Sequence, residues 1–144
     1  MNSWCVGSVT DMSWLFEGMS TFNEDISGWD TSKVENMNFV FFHATSFDGN
    51  LSSWNTKSVT NMNSMFEGAA SFNGGLSSWD ISSVEYMYSM FYGATSFNQD
   101  LCSWGDGDAF PYNTTDFIFG NSGCTYQDEP QEDQKGPFCS SRCV

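Results

Sequence analysis

Oxygen-bearing side chains recur at one place along the chain. Asn23-Glu24-Asp25, Asp48-Gly49-Asn50, Asn73-Gly74-Gly75 and Asn98-Gln99-Asp100 would set carboxylates and amides in a row. Carboxylates such as Asp25 and Asp100 are hard oxygen ligands, and calcium is the cation that takes about six to eight of them. The third of these corners carries no carboxylate. Asn and Asp also close turns by accepting from nearby backbone amides, so a turn ladder is the structural reading of the same residues. Calcium is the only cofactor this pattern suggests.

Sulfur is concentrated at the far end. Cys102, Cys124, Cys139 and Cys143 form an even set and are expected to make two disulfides, in an order that spacing alone does not give. The remaining Cys5 replaces the Asp or Asn that follows the other repeated tryptophans, and its partner is expected in a preceding part of the protein. A zinc site would need a CxxC pair or clustered histidines, and neither is present.

Catalytic chemistry has little to work with. His43 is the single histidine and stands where Gly18, Gly68 and Gly93 stand in the other repeats, so it reads as a turn residue. No Gly-x-Ser-x-Gly elbow, P-loop or dinucleotide fingerprint occurs. Carboxylates are numerous enough to supply a glycosidase-like pair, yet a repeat stack of this size offers few deep clefts. The expectation is a protein that is not an enzyme.

Binding chemistry is better represented. Trp14 and Phe39 occupy a repeat position filled by Ser64 and Ser89 elsewhere, and Phe42 and Tyr92 one filled by Glu17 and Glu67. With Tyr86 and Tyr88 they suggest an exposed aromatic patch of the kind that stacks on sugars or anchors a protein partner. Trp14, Phe39, Phe42, Tyr88 and Tyr92 are the candidate ligand-binding residues. Asn50-Leu51-Ser52 and Asn113-Thr114-Thr115 match the N-glycosylation pattern, making Asn50 and Asn113 candidate acceptors.

These residues are placed by a repeat. Trp4, Trp29, Trp54, Trp79 and Trp104 are spaced by 25, and the same step carries valine, methionine and two phenylalanine positions. Ile26, Leu51, Leu76 and Leu101 complete the apolar set. Within one copy, Val84, Met87, Met90, Phe91 and Ala94 fall at offsets of 3, 6, 7 and 10, which predicts a short helix. Ser32 with Glu35 and Ser82 with Glu85 have capping-box spacing and would begin that helix. Gly18, Gly68 and Gly93 would end it. Leu51-Ser52-Ser53-Trp54 and Leu76-Ser77-Ser78-Trp79 predict a short extended stretch, paired between copies as a narrow parallel sheet.

No single copy can bury its Trp, Phe and Met alone, so those residues are expected to stack as core ladders. The expected architecture is an α/β repeat solenoid of four 25-residue rungs, residues 1–104, starting at Trp4, Trp29, Trp54 and Trp79. Residues 105–144 are expected to form a disulfide-stapled C-terminal cap, with 127–136 a mobile loop. Asn2-Ser3-Trp4 matches the end of a rung, so the chain reads as a piece of a longer protein.

Eighteen acidic residues against four basic ones give a net charge of −14, which repels phosphate backbones and anionic head groups. Nucleic acid is therefore not an expected partner, and no apolar run is long enough for a membrane span. Disulfides and sequons favour an extracellular or cell-surface location.

The run from Phe72 to Ala94 reads Phe-Asn-x-x-Leu-Ser-x-Trp-Asp-x-Ser-x-Val-x-x-Met-x-x-Met-Phe-x-x-Ala. It resembles the BspA-like bacterial surface-protein repeat over about residues 4–104, although that family's common repeat is one residue longer. The resemblance implies a leucine-rich-repeat-like right-handed solenoid on a cell surface, used in adhesion, with no catalytic site. Two functions follow as expectations: an adhesion or recognition module binding protein or glycan, and a structural subunit that self-assembles through its ends into a filament or coat.

Overall fold

Backbone hydrogen bonds show what the 25-residue period builds. In the computed structural model, which describes residues 4–143, the amides of Met12, Trp14, Phe16 and Gly18 donate to the carbonyls of Asn36, Asn38, Val40 and Phe42 at 2.7–3.2 Å. Met37, Phe39, Phe41 and His43 donate in turn to Asn61, Asn63, Met65 and Glu67. Met62, Ser64, Phe66 and Gly68 do the same to Tyr86, Tyr88, Met90 and Tyr92. Only alternate residues take part. Between them, Leu15, Glu17 and Met19 donate within their own layer to Met12, Trp14 and Phe16, three positions back. One amide closes a turn and the next reaches the adjacent layer, so backbone donors are satisfied without a helix or a strand.

The expected α/β repeat solenoid, with a helix and a parallel strand in each leucine-rich-like rung, is thereby overturned. The helical elements among the described residues are two 3-10 turns, Cys102–Gly105 and Tyr112–Thr114. Layers meet at isolated parallel bridges, Asp11 to Asn36 to Asn61 to Tyr86, rather than in a sheet. Successive turns place residues three and four apart on one side just as a helix does, so the apolar offsets alone do not separate the two. The left-handed residues do. Trp14 and Gly18, Phe39 and His43, Ser64 and Gly68, and Ser89 and Gly93 all have φ between 51° and 69°, which a right-handed helix does not admit.

The predicted capping boxes are likewise turns of another kind. The amides of Ser32 and Ser82 donate to Oδ1 of Asp30 and Asp80 at 3.1 and 3.0 Å. Those of Glu35 and Glu85 donate to the carbonyls of Thr10 and Thr60 in the preceding layer. The predicted strand at 51–54 is a turn closed by Trp54 N donating to Leu51 O at 3.0 Å. Its serines contribute through side chains, Ser53 Oγ donating to Ser27 O at 2.7 Å.

Aromatic columns run through the centre. Phe16, Phe41, Phe66 and Phe91 stack at centroid spacings of 5.3–5.6 Å, and Phe22, Phe47, Phe72 and Phe97 at 5.7–5.9 Å. Within a layer the two columns touch at 3.9–4.1 Å. The indoles of Trp54, Trp79 and Trp104 are buried and donate to the carbonyls of Ile26, Leu51 and Leu76, 28 residues back. Trp29 Nε1 has no acceptor among the described residues, and the same step of 28 leads to residue 1, outside them. The predicted rung end at Asn2-Ser3 also lies outside the described residues.

Beyond Trp104 the pattern of tryptophan, valine and methionine stops, yet the layering continues. Met87, Ser89, Phe91 and Gly93 donate to the carbonyls of Thr114, Asp116, Ile118 and Gly120. Phe117 and Asn121 repeat the left-handed pair, with φ of 59° and 53°, and Phe119 extends the phenylalanine column at 5.9 Å from Phe91. Disulfides Cys102–Cys143 and Cys124–Cys139 hold the remaining chain over this layer. The expected mobile loop at 127–136 is hydrogen-bonded into the cap: Gln131 N donates to Gly136 O at 2.9 Å, and Glu129 Oε1 accepts from Phe117 N at 3.0 Å.

Candidate functional site

Each set of inter-layer bonds contains two left-handed residues, of which Trp14, Gly18 and His43 are exposed, Phe39 is partly exposed and Ser64 is buried. Left-handed backbone is costly for bulky side chains, and Ser64 and Ser89 show the less demanding solution. The first two layers instead use Trp14 and Phe39, whose rings lie face to face at 3.9 Å with planes 5° apart. Trp14 is 47 % exposed. Phe42 meets the edges of both rings, at 6.2 Å from Trp14 and 5.5 Å from Phe39, and His43 stands edge-on to Phe42 at 4.3 Å. Trp14, Phe39 and Phe42 therefore form one continuous aromatic platform.

The other two residues expected on this patch lie apart from it. Tyr88 is partly exposed in the fourth layer, on the far side of Ser64 and Glu67. Tyr92 is half-buried against the cap, where its hydroxyl accepts from Asn121 Nδ2 at 2.7 Å. His43 takes the left-handed turn position at φ 54° with its ring over Gly68.

The acidic corner is a ladder. Oδ1 of Asn23, Asp48 and Asn73 accepts from the amides of Asp48, Asn73 and Asn98 in the following layer, each at 2.9 Å, and Asn98 Oδ1 accepts from Thr125 N at 3.1 Å. Asp25 and Asp100 stand beside that ladder and close turns in their own layers, accepting from Ser27 N at 3.0 Å and Cys102 N at 2.9 Å. The Ser27 hydroxyl, and then the Ser27 amide, hold the Asp25 carboxyl below the ordinary aspartate range. Among the described residues no three histidine, cysteine or acidic side chains gather as a metal ion would require.

Asn50 is exposed, with its Oδ1 taken by the amide and hydroxyl of Ser52, and Asn113 is exposed in the Tyr112–Thr114 turn. That turn borders a cleft of about 620 Å³ lined by Glu85, Asp108, Glu132, Tyr112 and Lys135. Burial, and then the charge of Glu132, push the Tyr112 hydroxyl up. Cys5 is exposed at the other end of the molecule.

Sequence reasoning missed Leu15 and Met19, exposed at 38 % and 46 % on the open face of the first layer. The signal was available. Leu15 stands in the column of Val40, Met65 and Met90, and Met19 in that of Ala44, Ala69 and Ala94, all fully buried where a neighbouring layer covers them.

The 25-residue arrangement of turns has a counterpart at the family level. The family model described as "Mycoplasma protein of unknown function, DUF285" matches residues 1–109. The chain belongs to that family. The DUF285 match takes in the four repeats and stops short of Phe119 and the Cys124–Cys139 disulfide, so that part of the cap lies beyond what the family defines. No curated protein and no solved structure matches the chain.

Proposed function

We propose that this chain is a non-catalytic recognition module, displayed outside the cell or on its surface, that binds a protein or glycan ligand through the Trp14–Phe39–Phe42 platform. The observation that carries the reading is the pair of stacked, surface-facing aromatics at left-handed positions where serine suffices elsewhere. Large rings held there add nothing to the buried core. They present exposed apolar ring surface suited to the C–H groups of a sugar or to an apolar side chain. The net charge of −14 turns the same surface away from anionic ligands.

Two disulfides support an oxidising location. The likeness of the Phe72–Ala94 pattern to BspA-like repeats supports adhesion as the role. A filament or coat subunit joined head to tail is less favoured, because the cap already occupies the donor amides of the fourth layer.

Trp14→Ser and Phe39→Ser test the reading, since serine is native at this turn position in the third and fourth layers. Both variants are expected to fold like the parent, and each to weaken binding at least about tenfold in a glycan array and a surface-protein binding screen. Unchanged binding to a ligand that the parent recognises would remove the platform as the site.

A further inference from the structure

The ladder between layers has a direction along 11–18. Each layer sends four amides forward and receives four at its own carbonyls. In the first layer the receiving carbonyls belong to Asp11, Ser13, Leu15 and Glu17, the counterparts of Asn36, Asn38, Val40 and Phe42, and no described residue donates to them. Beside them lies uncovered apolar surface: a hollow of about 510 Å³ lined by Val6, Met12, Leu15 and Trp29, and another of about 240 Å³ lined by Phe16, Met19, Phe22 and Ile26. Acceptors and apolar groups lie in the same relation as on the faces that bind the second, third and fourth layers.

We propose that this open face is a docking surface for one further layer of the same 25-residue repeat, arriving with its four alternate amides free. A second copy of this chain does not supply that edge. Its amides of Met87, Ser89, Phe91 and Gly93 are bonded to cap carbonyls, and the layer that supplies those carbonyls is itself covered, with Thr115, Ile118 and Phe119 buried and the Phe117 amide taken by Glu129. Two open faces set against each other would oppose acceptors to acceptors. An extended peptide lacks the left-handed pair that aims alternate amides in one direction.

The test adds a layer to the complete chain. A copy of residues 29–53 placed directly before Trp4 puts the copied amides of Met37, Phe39, Phe41 and His43 opposite the four carbonyls. A copy of residues 54–78 serves as a second insert of different sequence. Amide hydrogen exchange is read at the four donors in both extended chains. The expected result is exchange slowed on the order of 100-fold at the four donors in at least one extended chain. Unprotected donors in both would overturn the proposal. Light scattering of the parent over a concentration series is expected to show a monomer, and head-to-tail oligomers would overturn the exclusion of a second copy.

Discussion

Trp54 shows how one residue serves two layers. It is 3 % exposed, stacks 6.2 Å from Trp29, and donates its indole N–H to Ile26 O at 3.1 Å. Trp54→Ala removes packing from both neighbours and leaves a buried carbonyl without its donor, so it is expected to cost about 3–5 kcal/mol in urea unfolding. Asp80 sits at the surface, where the Ser82 hydroxyl and then the Ser82 amide hold its carboxyl below the ordinary aspartate range. A depressed folded value means stability that is present above the unfolded value and lost as pH falls through the folded one, from about pH 4 downward. Asn55 fills the same turn position with an amide, donating nothing to the turn but accepting from Lys57 N at 3.1 Å. Asp80→Asn is therefore expected to stay within about 0.5 kcal/mol of the parent at neutral pH. Its thermal stability should depend less on pH below 4 than that of the parent.

At the scale of the layer, the left-handed pair decides the architecture, and Gly68 tests it. A Cβ at Gly68 would lie 2.5 Å from the His43 ring, whereas one at Gly93 meets nothing closer than 3.7 Å. Both positions have φ of +69°, so both alanine variants are strained, but Gly68→Ala carries a clash in addition. Gly68→Ala is expected to lose about 1–3 kcal/mol and more than Gly93→Ala. His43→Gly is expected to restore part of that loss in a double-mutant cycle, and strict additivity of the two changes would show that the rings do not meet. The period, the buried Phe, Met and Trp columns and the four cap cysteines were legible because each repeats or pairs by residue type. The path of the chain inside a layer was not. Trp14, Phe39 and His43 do not announce a positive φ as glycine does, and the apolar offsets of a turn series coincide with those of a helix. The layer at 114–121 was hidden for another reason: its register is shifted, and Thr115 replaces the usual methionine.

Across the whole molecule, stability is asymmetric. One end is held by two disulfides enclosing 15 and 41 residues, and the other presents open carbonyls and exposed Trp4, Leu15 and Met19. Chain-entropy arguments assign about 3 and about 4 kcal/mol to loops of those lengths. The paired change Cys102→Ser with Cys143→Ser is expected to lower the melting temperature and to increase hydrogen exchange at Met87, Ser89, Phe91 and Gly93, whose acceptors lie in the capped segment. Exchange at the Met37 and Phe39 amides should respond least. Equal acceleration at all of these amides would show that the layers unfold as one unit.

The inter-layer bonds have a mechanical consequence. Since alternate amides tie one turn of chain to the next, tension applied between the two ends loads a few bonds at a time, and the molecule peels. Each released layer of 25 residues adds about 85 Å of contour, so stretching would give a sawtooth of evenly spaced steps from the open end. The Cys102–Cys143 bond takes the last 41 residues out of the path of the force. Under tension the chain is therefore expected to yield layer by layer while the disulfide-closed segment stays outside the path of the force.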